Sequence, residues 1–262
     1  MKRKEKPKRS LPIRIIRGAL LVVVLVAAVV LVMRLLEYKQ SADVYGQLAL
    51  EMTPSNVQEE QSDSSSQADK EEELPLLEVD FERLQKENPE VVAWLEFPPL
   101  GLSYPVLHTD NNQYYLNHLW NGQQNSSGSI FLDANNKSIH DLYTVVYGHN
   151  MHDGSMFGLF NRYLDRAYYE ENGAYFRLYT PEGVWRYDVF TVAEVPENDS
   201  LYTVGYAKGQ LYDKFLNRLA GLTLYQTETQ VQPGDTVMTL STCTANDSIR
   251  RILCARRGKQ LD

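Results

Sequence analysis

The stretch Val237-Met238-Thr239-Leu240-Ser241-Thr242-Cys243 is a run of mostly apolar and β-branched residues that ends on a thiol. This composition predicts a buried strand whose polar end carries Cys243. Upstream, Tyr143–Tyr147 predicts another strand, and Gly148 and His149 follow it directly. The ends of two strands can lie close together in a barrel even when 94 positions separate them in sequence. The sequence therefore predicts that a thiol and an imidazole meet at one edge of a sheet.

The chain beyond residue 74 consists of short apolar stretches separated by Pro- and Gly-rich turn signals. Strands are predicted over residues 91–96, 103–107, 130–132, 142–147, 177–179, 184–195, 236–241 and 251–255. Helices are predicted over Phe81–Glu87, over 156–164 and over 211–219, from N-cap signals or apolar residues at helical spacing. We therefore expect a mostly β (α+β) fold, a closed and mainly antiparallel barrel of about eight strands with peripheral helices.

The N-terminal region reads as a membrane anchor. Residues 18–33 are sixteen uncharged, mostly aliphatic residues, and extension to Leu36 makes the run long enough to cross a bilayer. Eight Lys and Arg residues precede the run, so the positive-inside rule places residues 1–17 in the cytoplasm and the rest outside. A cleaved signal peptide shares the basic-then-apolar order, but its apolar region is shorter, and no small-x-small site follows Leu36. We predict a single transmembrane helix over 18–36.

Residues 37–73 are acidic and rich in Ser and Gln, which predicts an extracellular stalk before a catalytic domain over 74–262. Residues 1–34 carry a net charge of +8, so the remainder sums to −16. An acidic exported part argues against nucleic acid as a partner, because phosphate binding needs a basic face.

The three groups expected to carry chemistry are Cys243, His149 and Arg251. A thiol becomes a nucleophile when a neighbouring cation stabilises its thiolate, and His is the side chain best suited to transfer protons near neutral pH. A guanidinium remains charged and presents fixed donors to an oxyanion. Arg250 is the competing choice, because neighbouring side chains of a strand point in opposite directions and only one of the two can face Cys243.

Other interpretations of these residues predict no catalysis. Cys243 could be a small buried apolar residue or could form a disulfide with Cys254, the other cysteine of this exported chain. If Arg251 faces Cys243, strand alternation turns Cys254 away, which argues against the disulfide. His152 and Asp153 lie near His149, but no spacing supplies a third metal ligand, so neither a metal nor another cofactor is expected.

The segment Thr239-Leu240-Ser241-Thr242-Cys243 resembles the TLxTC signature of the sortases, the membrane-anchored cysteine transpeptidases of Gram-positive bacteria. His149 lies in a similar Tyr-Gly-His-Asn context, and Arg251 is placed like the essential arginine of that family. Segments 112–116, 128–133 and 153–157 are similar to class B members. The resemblance implies an eight-stranded sortase barrel behind an N-terminal membrane anchor.

It also implies a reaction. Cys243 attacks the Thr carbonyl of a C-terminal sorting signal, of the NPxT-x type in class B, His149 protonates the leaving amine, and Arg251 holds the oxyanion. Ser241 and Thr242 are candidates for substrate contact. The thioacyl group then passes to an amine of a peptidoglycan precursor or of a pilin lysine. Three alternatives stay open, namely a pilin polymerase, a cysteine peptidase that uses water, and an inactive exported binding or sensor domain.

Overall fold

The computed structural model describes residues 11–52, 75–244 and 248–261, with side chains from residue 15 onward. Its helices are α1 (Leu11–Glu51), α2 (Phe81–Glu87), α3 (Arg166–Asn172) and α4 (Gln210–Gly221). Its strands are β1 (Val91–Phe97), β2 (Leu102–Leu107), β3 (Ile130–Leu132), β4 (Tyr143–Tyr147), β5 (Tyr175–Thr180), β6 (Gly183–Pro196), β7 (Val237–Cys243) and β8 (Ile249–Leu261). Short 3₁₀ helices cover Pro98–Leu100, Tyr114–Leu116, Gly158–Leu164 and Ser200–Tyr202.

The eight strands close into a barrel in the order β1-β2-β3-β4-β7-β8-β6-β5, which confirms the predicted fold class. The β2–β3 and β4–β7 pairs are parallel and the others are antiparallel. Side chains of β7 alternate between two clusters, since Met238 and Leu240 join the larger core while Val237 packs with the buried face of α4. These alternating faces decide which side chains reach the site described below.

Two segments differ from the sequence prediction. The helix expected over 156–164 is a 3₁₀ helix over Gly158–Leu164. The buried aromatic residues Phe160 and Tyr163 of this helix, together with Phe157 at its N-cap, recur every third position, which matches three residues per turn better than the α-helical period. Strand β8 extends through Leu261, well past the predicted end at residue 255, because it pairs along the whole length of β6.

The predicted stalk is wrong over residues 37–52. Helix α1 continues through Glu51, and Ser41, Tyr45, Leu48 and Met52 are buried against the barrel. These four residues follow a spacing of four, three and four, which places them on one face of a helix. The remaining part of the predicted stalk, 53–73, and most of the predicted cytoplasmic tail, 1–10, lie outside the described residues.

The apolar part of α1 fits the predicted membrane span. Within the described residues, one helix is apolar and long enough to cross a bilayer, and its most apolar stretch is not buried by any other part of the protein. Large aliphatic side chains between Ile15 and Leu36 are exposed. Exposure of that much apolar surface in water is costly, so this segment is a candidate for contact with lipid.

Candidate active site

Cys243 and His149 emerge at the same edge of the barrel. Strands β4 and β7 are parallel neighbours in which Tyr147 pairs with Ser241, and the Gly148 amide donates to the Ser241 carbonyl at 3.1 Å. Because the two strands run in the same direction, the chain reaches Cys243 and His149 two residues beyond this pair. Both residues line a pocket of about 390 Å³. The Cys243 thiol and the His149 imidazole therefore lie at the same pocket.

The imidazole of His149 is bonded to the backbone of another residue that lines the pocket. Its Nε2 lies 2.6 Å from the carbonyl oxygen of Leu116. A carbonyl only accepts hydrogen bonds, so Nε2 carries a proton and Nδ1 is the nitrogen available for proton transfer. Leu116 ends a 3₁₀ helix over Tyr114–Leu116 and lines the same pocket.

The arginine that lines the pocket is Arg250, whereas Arg251, the residue favoured by the sequence, does not line it. Strands β7 and β8 pair Cys243 with Arg250 and Thr242 with Arg251. Residues directly opposite in an antiparallel pair place their side chains on the same face, so Arg250 shares the face of Cys243. Arg250 lines the pocket, whereas Arg251 is buried on the other face and bonds Glu194 Oε1 at 2.6 Å.

Arg250 forms an ion pair with Glu197, a carboxylate of the same pocket. Its guanidinium contacts Glu197 Oε2 at 3.0 Å and donates to the Ile249 carbonyl at 3.2 Å. Glu197 is half exposed and also lines the pocket. An exposed ion pair of this kind is worth little, so Arg250 can exchange Glu197 for an anionic group in the pocket at small cost.

Two tyrosines form a wall of the pocket. The Tyr147 hydroxyl donates to Asp133 at 2.8 Å, the Tyr202 hydroxyl lies 3.0 Å from Ser241 Oγ, and the two rings stack. Burial raises the pKa of Tyr202 to about 12 and raises the pKa of Tyr147 further, and the Arg250 charge offsets part of both shifts. Both phenols are therefore neutral near pH 7 and act as hydrogen-bonding groups.

The predicted substrate contacts, Ser241 and Thr242, both line the pocket. Ser241 is on the Cys243 face and is bonded to Tyr202. The Thr242 side chain is on the Arg251 face, and its Oγ1 has no hydrogen-bond partner among the described residues. Contact of either hydroxyl with a substrate stays a prediction.

The two thiols are free, although the reason differs from the predicted one. Cys254 pairs with Thr239, so it shares the face of Cys243 and does not point away from it. The register separates the two thiols by four positions along β7, roughly 13 Å, which is far beyond the span of a disulfide. Cys254 is buried, and burial raises the pKa of its thiol to about 12.

Several pocket residues were not singled out as site residues from the sequence. They are Asn112, Gln113, Leu116, Phe131, Tyr147, Glu197 and Tyr202. Most of them come from loops or strand ends whose conformation has no periodic signal, although residues 112–116 resemble a segment of class B sequences. Among the described residues, no group of three His, Cys, Asp or Glu side chains is arranged to hold a metal ion.

Comparison with known proteins gives one consistent family. A family model for the sortase domain matches residues 95–257. Sortase B of Listeria monocytogenes is 30% identical over 179 residues, which cover 67% of this chain and 72% of that protein. Sortase B of Staphylococcus aureus is 30% identical over 164 residues, which cover 62% and 67%.

Solved structures give the same result. The crystal structure of Clostridium perfringens sortase B matches with a TM-score of 0.65 and 26% identity, over 69% of this chain and all of that one. A substrate complex of Staphylococcus aureus sortase B matches with a TM-score of 0.64 and 28% identity, over 68% of this chain and 84% of that one.

Proposed function

The chain belongs to the sortase family of cysteine transpeptidases, in class B, and on this premise we propose that it joins a protein carrying a C-terminal sorting signal to an amine. The observation that carries the proposal is the convergence of Cys243, His149 and Arg250 on one pocket at one edge of the barrel. Each of the three supplies a different part of acyl transfer, which a binding or sensor domain would not need.

Acylation begins from the ion pair in which Cys243 is a thiolate and His149 carries a proton on each ring nitrogen. The thiolate attacks the carbonyl carbon of the scissile amide, a C–S bond forms, and the carbonyl oxygen becomes an oxyanion. Arg250 leaves Glu197 and bonds this oxyanion. The intermediate then collapses, the C–N bond breaks, and His149 gives its Nδ1 proton to the departing amine.

Deacylation uses the same groups in reverse. The acceptor amine enters the pocket, His149 takes a proton from it through Nδ1, and the amine nitrogen attacks the thioester carbon. An amide forms and Cys243 leaves as a thiolate. The acceptor is an amine of a cell-wall precursor or a pilin lysine, and the donor is a surface protein or pilin with an NPxT-x-like signal, as the class B resemblance implies.

The catalytic domain acts outside the cell in this proposal. Residues 18–36 cross the membrane, the basic residues before them stay in the cytoplasm, and the barrel lies on the outer side. The exposed apolar surface of α1 and the excess of Lys and Arg before it support this orientation.

The function is tested with the full chain in detergent micelles and a fluorescent NPxT-containing peptide, with and without an added amine such as triglycine. We expect mass spectrometry to show a new peptide–amine product in larger amount than the peptide acid formed by hydrolysis. A peptidase that uses water would form mainly the acid. Cleavage with no amine product would show a peptidase, and a chain that neither cleaves nor ligates any peptide of a sorting-signal library would contradict the proposal.

The arginine assignment gives a separate prediction. Arg250→Ala is expected to lower kcat/KM by about 10²–10³-fold, the usual loss when one oxyanion donor is removed. Arg251→Met is the matched control, because it removes the neighbouring guanidinium while filling a similar volume next to Glu194. It should retain most of the activity of each correctly folded molecule. Loss of activity in Arg251→Met with full activity in Arg250→Ala would reverse the assignment.

A further inference from the structure

Helix α1 is fastened to one particular loop of the barrel, residues 112–129 between β2 and β3. The hydroxyl of Tyr45 donates to the Gly128 carbonyl at 2.9 Å, contacts Ser129 Oγ at 2.8 Å and accepts from the Trp120 amide at 3.2 Å. Tyr45 is 5% exposed, so these bonds are shielded from water. Three points of a single loop therefore converge on one hydroxyl of the helix.

A second set of contacts lies one to two turns earlier on α1. The Glu37 carbonyl accepts from Asn125 Nδ2 at 2.9 Å, and its carboxylate accepts from Ser126 Oγ at 2.6 Å. Gln40 donates to Gln123 at 2.8 Å. These contacts are more exposed than those of Tyr45, but they hold the same loop.

The other side of this loop supports the catalytic imidazole. Gly128 has a φ of +59°, and a Cβ on it would lie 2.9 Å from the carbonyl oxygen of Leu116 and closer still to that of Tyr115. The Ser129 amide donates to the Tyr115 carbonyl at 2.9 Å. The Leu116 carbonyl is the group that bonds His149 Nε2 at 2.6 Å. Gly128 and Ser129 thus lie directly between the Tyr45 hydroxyl and the carbonyl that fixes the imidazole.

We propose that Tyr45, on the helix that precedes the barrel, is a positioning residue for His149. Its hydroxyl fixes Gly128 and Ser129, these residues fix the turn that carries the Leu116 carbonyl, and that carbonyl fixes the tautomer and the direction of the imidazole. The inference rests on the proposed function only for its activity readout. In this proposal, the part of α1 that the sequence predicts to be a stalk supports the active site.

The test uses the full chain in detergent micelles with Tyr45→Phe, which keeps the ring packed against Tyr104 and removes only the hydroxyl. We expect kcat to fall between about tenfold and 10²-fold, with the peptide KM within about twofold of wild type, because a displaced proton donor affects chemistry more than binding. The ¹⁵N imidazole signals of His149 should show that the tautomer with the proton on Nε2 is less populated.

The control is Tyr212→Phe. Tyr212 is also buried, and its hydroxyl also donates to backbone carbonyls, those of Leu142 and Asp235, but it has no contact with the 112–129 loop. It should lower the melting temperature comparably and leave kcat and the His149 signals unchanged. Ser129→Ala removes a hydrogen-bond partner of Tyr45 from the loop. It should also lower kcat and reduce the Nε2-protonated tautomer of His149, and it replaces Tyr45→Phe in the test if that variant does not fold.

The outcomes separate this inference from the proposed function. If wild type ligates and both Tyr45→Phe and Ser129→Ala match Tyr212→Phe in kcat and in the His149 signals, the positioning role is overturned. A wild-type chain that does not ligate contradicts the proposed function. The imidazole signals then still decide whether Tyr45 sets the tautomer of His149.

Discussion

Replacing Cys243 with alanine is expected to abolish both peptide cleavage and amine ligation, with a loss of at least about 10⁴-fold. The reason is that, in the described part of the chain, Cys243 supplies the only thiol that lines the pocket, and the hydroxyls of Ser241 and Thr242 are much weaker nucleophiles than a thiol. The first measurement is product formation from a fluorescent sorting peptide. The second is mass spectrometry of the protein, in which wild type should gain the mass of the acyl part of the peptide as a thioester and the variant should not.

Cys254→Ala is the matched control, because it makes the same chemical change at the other thiol of the chain. Cys254 is buried, does not line the pocket, and accepts a hydrogen bond from Thr239 Oγ1 at 3.3 Å. This variant should form the adduct and ligate like wild type, with a lower melting temperature from the small cavity. If Cys243→Ala still ligates, or if folded Cys254→Ala does not, the nucleophile is not Cys243 alone and the assignment is contradicted.

Thiol labelling gives an independent view of the same assignment. Burial raises the pKa of Cys254 to about 12, so at pH 8 roughly one molecule in 10⁴ carries a thiolate there, and the sulfur is also shielded from reagents. Native wild type should therefore take up one equivalent of iodoacetamide, at Cys243. The sign for stability follows from the same shift: unfolded chains release this proton above about pH 8.5, so folding is weakened as pH rises from there towards 12.

The barrel and the placement of Cys243 and His149 at one pocket could be predicted because their signals are local. An apolar run that ends on Cys243 and another that ends before His149 each fix a strand and its polar end. The observed parallel pairing of these two strands then places both ends at the same edge of the barrel. Hydrophobic pattern and strand polarity were therefore sufficient for the thiol and the imidazole.

The choice between Arg250 and Arg251 depends on the register of a hairpin, which the sequence does not fix. Arg250 and Arg251 are adjacent, and a shift of one residue in the pairing of β7 with β8 exchanges the faces of both. The sequence between Cys243 and Arg250 contains no turn signal strong enough to fix that register. Only the observed pairing of Cys243 with Arg250 decides between them.

The docking of α1 was missed for a different reason. The polar composition of 37–73 outweighs the buried residues Tyr45, Leu48 and Met52, which are few but lie on one helical face. A composition average does not reveal a short face of this kind, whereas the helical spacing of these residues beyond Leu36 indicates it.

His149→Ala is expected to lower kcat for amide substrates by about 10²–10⁴-fold, the range for loss of a general acid or base. The expulsion of an amine from the tetrahedral intermediate requires a proton, and Nδ1 of His149 is the group placed at the pocket to supply it. His152→Ala is the control, since His152 is exposed, lies three residues further on and does not line the pocket. That variant should behave like wild type.

The role of His149 as proton donor, rather than as a merely structural residue, can be separated by the leaving group. If the scissile amide is replaced with an ester of an acidic phenol, the leaving group departs as an anion without protonation, so the acid is no longer needed for acylation. We expect the loss in His149→Ala to shrink to less than about tenfold with this substrate, while Cys243→Ala remains inactive on both. A loss of equal size on amide and ester would instead mean that His149 acts by activating the thiol or by shaping the pocket, because neither of those roles depends on the basicity of the group that leaves.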